Sequence, residues 1–488
     1  MKKVWKYIVI TLLLLLGLCC VGVLYLFFVP NSSLFNITYV NHNIIKESNK
    51  YNQDLISKIE LNSRAYNVRV LSTEESTVYV KAHSNSFGFV LKDNSNLDIH
   101  SKLDNTVLTF NIDETYGFAA RNASYVELYV PKDFEVDLTL KNKKAETKIG
   151  GDITINNLKY TTDKGDCDFE KGTINGTITL NLGKSDFRLH DSVTTNNNNL
   201  NLSLTSGSFK ANTATLSDVT ILSNARGVIS LNECENLREN AQNAGGQIYV
   251  NKVQHLNITA GDTIIKVGEV TNTASVNLTK SGSISVDNLT GISTFVTNSG
   301  NINLGTTFSP LTLQSESGNI NVANAFKTVA VKVNYGEAKI QFADEALSYL
   351  DENSSRVLNA SVKNGKLTAY GVEHIGTPEE NTQTTIDGGV KITGNGRVYI
   401  NMKNVYGKNL IAGNNGSVNV VVDKDAEFML KTSSTAGSVR VNLTQIPEYN
   451  GYTTRELRTT NVNCNSSTNL LTVNSNYGSL TVLDSNFA

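Results

Sequence analysis

Four glycines spaced 18 residues apart, Gly282, Gly300, Gly318 and Gly336, constrain this 488-residue chain more than anything else in it. Each opens a similar unit: Ser281-Gly282-Ser283-Ile284-Ser285-Val286, Ser299-Gly300-Asn301-Ile302-Asn303-Leu304, Ser317-Gly318-Asn319-Ile320-Asn321-Val322 and Tyr335-Gly336-Glu337-Ala338-Lys339-Ile340. Looser copies sit at Gly207, Gly227, Gly246, Gly396, Gly416, Gly437 and Gly478, most of them about 18–21 residues from a neighbour. A second strand falls between the glycines, as in Ser293-Thr294-Phe295-Val296-Thr297 and Thr328-Val329-Ala330-Val331-Lys332-Val333. One unit is thus strand, Ser/Asn-Gly turn, strand, connection. A period near 20 marks a solenoid, because one such rung cannot bury its apolar face until others stack on it.

Alternation says which side chains point in. Ile284, Val286, Ile302, Leu304, Ile320, Val322 and Ile340 should face the core, and Ser285, Asn303, Asn321 and Lys339 should face out. The glycine allows positive φ or a close backbone approach at the corner. Stacked Asn side chains at the turns can hydrogen-bond from rung to rung, a use for so much Asn. A string of antiparallel hairpins packed as sandwiches obeys the same alternation, but the near-constant rung length favours the solenoid. Residues 145–488 would supply about 17 rungs, a stack roughly 80 Å long at ~4.8 Å per strand.

Composition agrees with an all-β chain: 35 Gly and many β-branched and turn-forming residues, but only 5 Pro and 1 Trp. The net charge of −2 and the 18% charged residues exclude a strongly basic nucleic-acid binder and an acidic tail protein.

The N-terminus carries Lys2, Lys3 and Lys6, and then Ile8 to Val29 run without a charge. At ~1.5 Å per residue that run spans about 33 Å, enough for a bilayer core. No small-x-small cleavage site follows, and Gly17-Leu18 before Cys19 makes a poor lipoprotein signal. The expected arrangement is a cytoplasmic stretch 1–7, a single transmembrane anchor 8–29 and a spacer 30–58, with everything beyond outside the cell. An irregular β region at 59–144 would cap the solenoid at 145–488, which carries insertions near 343–358, 376–387 and 447–464. At the C-terminus, Leu480-Thr481-Val482-Leu483 reads as a last strand with an uncovered edge, a place for self-association.

The stretch Val126-Glu127-Leu128-Tyr129-Val130-Pro131-Lys132-Asp133-Phe134, followed by Gly-turn-strand repeats, resembles the bacterial putative-adhesin family, a domain of unknown function built from β-repeats. The resemblance runs from about Ile59 to the C-terminus. It implies a surface-exposed β-repeat protein, sometimes linked to envelope stress, and it implies no catalytic residues. Ala343 to Asp387 departs from the simple repeat.

Chemistry-bearing patterns are sparse. His42, His83, His100, His190, His255 and His374 are scattered, none beside a second ligand at zinc spacing. Cys19 and Cys20 lie in the apolar run; Cys167, Cys234 and Cys464 match no disulfide or metal spacing, and a Cys167–Cys234 bridge would need their rungs to align. Gly394-Asn395-Gly396 lacks the third glycine of a dinucleotide fingerprint. Two acidic alternations remain, Asp163 with Asp166-Cys167-Asp168-Phe169-Glu170, and Asp423-Lys424-Asp425-Ala426-Glu427. Each puts carboxylates on one strand face, as a Ca²⁺ site or a polysaccharide-cleaving pair would, or as a solvated face does. No catalytic, cofactor-binding or metal-binding residue is assigned. The sequence therefore points to a membrane-anchored, non-enzymatic surface protein that binds glycan, cell wall or protein. An envelope-stress or sensory ectodomain and a β-helix polysaccharide-active enzyme are the alternatives, the last marked by acidic and basic side chains from neighbouring rungs gathered in one groove.

Overall fold

The structure, a computed structural model, describes residues 2–29, 33–34, 37–63, 66–91, 97–113, 117–122, 124–343, 357–373, 387–446, 452–453, 458–462 and 469–488. One α-helix, Lys2–Phe28, precedes strands interrupted by a single 3-10 turn at Gln53–Leu55 among the described residues, and the chain divides into compact units at 1–215 and 216–488.

The C-terminal unit is a stack of parallel rungs. The strands Ser283–Leu289, Ile302–Thr307, Ile320–Ala325, Glu337–Phe342, Lys366–Val372, Arg397–Met402 and Val418–Val422 pair in that order on one face. The strands Ser293–Thr297, Leu311–Ser315, Val329–Val333, Leu358–Val362, Asp387–Gly394 and Lys408–Gly413 pair in order on the other. Every one of these pairings is parallel, so the fold is a β-solenoid and the hairpin sandwich is excluded.

The alternation has the sense the sequence gives it. Ile284, Val286, Ile302, Leu304, Ile320, Val322 and Ile340 are buried; Asn303, Asn321 and Lys339 are exposed, and Ser285 is half-buried. Removing each such aliphatic side chain from water contributes about 1.5–3 kcal/mol, which is why a rung needs neighbours. At the corners the glycines serve close approach: a β-carbon on Gly318 would lie 1.8 Å from the Gly300 carbonyl oxygen, and one on Gly416 would lie 2.1 Å from that of Gly396. Only Gly336 of the four regular copies also needs positive φ, at +148°. Asparagines climb the same corners. The Asn319 N–H donates to Asn301 Oδ1 and the Glu337 N–H to Asn319 Oδ1, both at 3.0 Å.

The end of this unit differs from the expectation. The rung Leu470–Ser475 and Leu480–Asp484 does not close the stack. Leu480–Asp484 pairs with Val418–Val422 on one side and Val439–Asn442 on the other; Leu470–Ser475 pairs likewise with Lys408–Gly413 and Phe428–Ser434. The last rung in sequence is thus inserted between the two preceding ones. Leu480 and Val482 are fully buried, so the open edge expected there does not exist. The outer side of the 428–442 rung carries two antiparallel strands, Arg458–Val462 and Tyr452–Thr453, drawn from the insertion near 447–464. The remainder of that insertion, with Cys464, lies outside the described residues, as do 344–356 of the insertion near 343–358 and 376–386 of the one near 376–387.

The N-terminal unit interleaves in the same way. Lys58–Ser63 lies between Val107–Ile112 and Asp137–Asn142, and Asn67–Thr73 between Tyr125–Pro131 and Thr147–Ile149, all parallel. Regular parallel rungs follow through Thr154–Phe169 to Ile178–Leu189. Aromatic rings fill this core: Phe110, Phe169, Phe187, Phe209 and Tyr160 are all fully buried, and the Tyr160 hydroxyl donates to the Gly165 carbonyl at 3.2 Å. The stretch 30–58, read as a spacer, contains a strand, Ile37–Glu47, antiparallel to Lys81–Leu91. Its described side chains, from Asn43 to Glu47, are none of them buried, so no alternation marks it in the sequence.

Candidate functional site

The helix Lys2–Phe28 comes first along the chain. From Trp5 to Tyr25 it has a mean hydropathy of 2.8 and buries nothing against the protein. That is an apolar cylinder long enough to cross a bilayer.

In the acidic alternation Asp166, Asp168 and Glu170 face outward along and beside the strand Cys167–Phe169, with Cys167 and Phe169 turned into the core, while Asp163 lies in the preceding turn. Its register explains its chemistry. Asp168 stands between Lys148 and Arg188 on adjoining rungs. Arg188 Nη1 lies 3.6 Å and His190 Nε2 3.3 Å from Asp168 Oδ1, and Lys148 lies 3.6 Å from Glu170. Asp166 accepts the Asp186 N–H at 2.9 Å, and Asp186 accepts the Ser208 hydroxyl at 2.7 Å. The carboxylates are cross-linked to bases and donors rather than converging on one another. Among the described residues no three His, Cys, Asp or Glu side chains gather as a metal cage. The second alternation, 423–427, is mostly a turn. Asp425 is ion-paired with Lys424, whose hydrogen bond holds its carboxyl below the ordinary value, and the Asp425 N–H donates to Asp423 Oδ1 at 2.8 Å.

The histidines stay apart. His83 stacks on Tyr125 with ring centroids 4.3 Å apart and places Nε2 3.3 Å from Glu127; His255 bonds Thr273 at 2.8 Å. His100 sits on the strand Asp98–Asp104, while the His42 side chain and His374 lie outside the described residues. Cys167 and Cys234 are each free and buried, and burial raises both thiols, Cys234 to about 12, so neither is a reactive thiolate.

Two features escaped the sequence reading. Around Glu127, Tyr79 and Tyr129 stack at 4.7 Å, Lys81 lies over both rings at 5.4 Å, and Arg69 covers Tyr125 at 4.7 Å. The Tyr129 hydroxyl donates to Glu127 at 2.9 Å, and burial pushes it up to about 12. The second is Glu239, on the inward side of Val228–Ala241 in phase with Leu237 and opposite Ile258. It is 2% exposed, neither carboxylate oxygen has a hydrogen-bond partner, and burial raises it to about 7.

Outside these places the rungs present rows of amides and hydroxyls bonded along the stack, such as Asn251 to Asn232 at 3.1 Å and Asn476 to Asn414 at 2.9 Å. Among the described residues such rows offer many polar groups and no assembled acid–base pair.

No curated protein matches the chain. Among solved structures it is similar to a putative adhesin from Bacteroides fragilis (13% identity, TM-score 0.17, 67% of this chain and 97% of that one). It is also similar to a putative cell adhesion protein from Clostridium sporogenes (8% identity, TM-score 0.15, 91% and 100%) and a putative adhesin from Parabacteroides distasonis (13%, 0.16, 74% and 97%). The family model described as Toastrack DUF4097 matches residues 56–234 and again 199–370, together more than half of the sequence. With its parallel rungs and its two successive matches, the chain belongs to the Toastrack DUF4097 family.

Proposed function

We propose that this protein is anchored in a bacterial cell membrane by residues 8–29 and displays its β-repeat units outside the cell for binding or scaffolding. The observation that carries this reading is the Trp5–Tyr25 helix, apolar on every side and wholly exposed, with Lys2, Lys3 and Lys6 at its start. Basic residues are retained on the cytoplasmic side, which sends the following chain outward. The rows of Asn, Ser and Thr on the rungs support weak, repeated polar contacts with glycan, cell wall or protein, and the adhesin descriptions of the similar structures agree in kind. Protease added to intact protoplasts tests it. Digestion of the 59–488 region with the N-terminal helix left in the membrane fraction is expected; protection of that region sinks the topology, and release of the intact chain into the medium sinks the anchor.

One observation favours a second reading, polysaccharide cleavage. Lys148, Asp168, Arg188 and His190 do gather acid and base from neighbouring rungs. Asp168→Asn would abolish any cleavage of an anionic polysaccharide panel if that reading holds, and a wild-type chain that cleaves none of them removes it.

A further inference from the structure

Five lysines come together at one corner of the N-terminal unit. The strands Glu135–Asn142, Thr154–Thr162 and Ile178–Leu189 are successive parallel neighbours. Lys141 lies near the end of the first, Lys143 and Lys144 lead out of it, Lys164 leads out of the second, and Lys184 bends the third at the same corner. Backbone bonds fix the column. The Lys143 N–H donates to the Ser63 carbonyl at 3.2 Å, the Lys164 N–H to the Lys143 carbonyl at 3.2 Å, and the Lys184 N–H to the Asp163 carbonyl at 2.7 Å. At ~4.8 Å per strand, the three rungs hold these cations within roughly 10 Å along the stack.

All five side chains are exposed, and among the described residues none has a carboxylate within ion-pair distance. Several other lysines of the same unit do pair: Lys58 with Glu60 and Lys171 with Asp152, both at 2.6 Å, and Lys148 with Glu170 at 3.6 Å. Against the corner lies a groove of about 410 Å³ whose lining includes Lys141, Lys143, Asn62, Asn111 and one acid, Asp163. Ser63, also in its lining, is 3% exposed with a hydroxyl that has no hydrogen-bond partner. Like charges held this close repel, and protein surfaces usually intersperse the opposite sign. Here, among the described residues, the opposite sign is scarce: Asp163 in the lining, and Glu60, which feels the charge of Lys141.

The kind of anion follows from the residues. Ammonium groups act as point charges that suit phosphate, whereas planar carboxylates favour the guanidinium fork, and the groove lining holds no Arg. The cations climb from rung to rung beside an open groove, which fits a chain better than a single small ion. No aromatic ring stands in the lining to stack a base, and a groove is the wrong shape for a flat bilayer surface. We propose that this corner binds a linear, phosphate-bearing anionic polymer of the cell envelope, with Lys143, Lys164 and Lys184 carrying the contact. The inference rests on the envelope reading above and gives it a ligand class.

The test uses the full chain in detergent micelles and a fluorescently labelled linear polyphosphate, read by anisotropy. Lys143→Gln/Lys164→Gln/Lys184→Gln is compared with a charge-matched control, Lys58→Gln/Lys148→Gln/Lys171→Gln, both checked by thermal melting. The corner variant should bind at least tenfold more weakly, with the log–log salt slope reduced by about 2, roughly 0.7 per lost phosphate contact. The control should stay within threefold of wild type. Equal losses in the two variants, or no binding by wild type, overturn the proposal. So does tighter binding to phosphatidylglycerol vesicles or single-stranded DNA that depends on the same lysines, which reassigns the corner to a membrane or a nucleic acid. Protoplast proteolysis is read separately: polymer binding by a chain that proves protected leaves the corner standing and removes only the envelope topology.

Discussion

A β-carbon added to Gly300 would lie 1.3 Å from the carbonyl oxygen of Gly282, one rung back. No rotamer change relieves such an overlap, because the backbone fixes the β-carbon and the oxygen is itself backbone. Gly300→Ala must push two rungs apart, and we expect a loss of about 2–4 kcal/mol. Gly150→Ala is the comparison, since its nearest neighbour is the tip of the Glu170 side chain at 3.5 Å; it should cost under about 1 kcal/mol. Thermal unfolding of the two variants checks the difference.

The core alternation can be tested one residue at a time. Ile302→Asp places an unpartnered carboxylate among Ile284, Ile320 and their neighbours, at a cost of about 3–5 kcal/mol. Asn303→Asp, exposed and one residue along, should cost less than about 0.5 kcal/mol. Equal losses would mean that the alternation, and with it the solenoid register, is wrongly read.

Glu239 should make its rung sensitive to pH. Burial raises its carboxyl from 4.5 to about 7, so the folded state holds the proton more tightly than the unfolded chain. Its contribution is therefore fully present below about pH 4.5 and is lost as pH rises to about 7, on the order of 3 kcal/mol in all. The charged groups nearby, Glu233, Glu235 and Arg238 on its own strand and Asp218, Lys252 and His255 on others, are not buried, and none contributes to the shift. Hydrogen exchange of residues 228–241, corrected for intrinsic rates, should accelerate between pH 5 and pH 8. Glu239→Gln should abolish that acceleration.

The displaced C-terminal rung gives a sharp chemical test. Asn419 and Thr481 are direct partners, as are Thr481 and Arg440. Cysteines replacing Asn419 and Thr481 should form an intramolecular disulfide on mild oxidation. Cysteines replacing Asn419 and Arg440 should not, because two strand spacings, roughly 10 Å, exceed the reach of the bond. A sequential stack would reverse the two results, as read on a non-reducing gel.

These elements also mark how far the sequence was legible. The 18-residue glycine spacing and the Ile302-x-Leu304 alternation read out rung, face and parallel fold, because both follow from one local rule repeated. The order of rungs did not, since Leu480-Thr481-Val482 has the same in–out pattern whichever neighbours it meets. The lysine corner was hidden by distance: Lys143, Lys164 and Lys184 are about one rung apart in sequence, a period visible only once the column is known. Glu239 could have been found, as the one acid in phase with Leu237 on an otherwise apolar side. The acidic run at 163–170 was placed on the correct face, but its partners Lys148, Arg188 and His190 belong to other rungs, which no local pattern reveals.

The rungs interleaved at 58–73 and 470–484 change how each unit can open. An ordinary solenoid is a zipper that parts tooth by tooth from either end. Here the rungs at 58–73 and 470–484 are each stitched between two others, so parting either breaks two parallel ladders at once. The two stitches also face opposite schedules during synthesis. Residues 58–73 emerge before both of their neighbours and can serve as the seam on which 107–131 and 135–149 are laid. Residues 470–484 emerge after both of theirs, so the rungs 408–422 and 428–442 must stand one tooth apart until the last strand slides home. The C-terminal unit can therefore close its ladders only after that strand has followed both of its neighbours out of the ribosome.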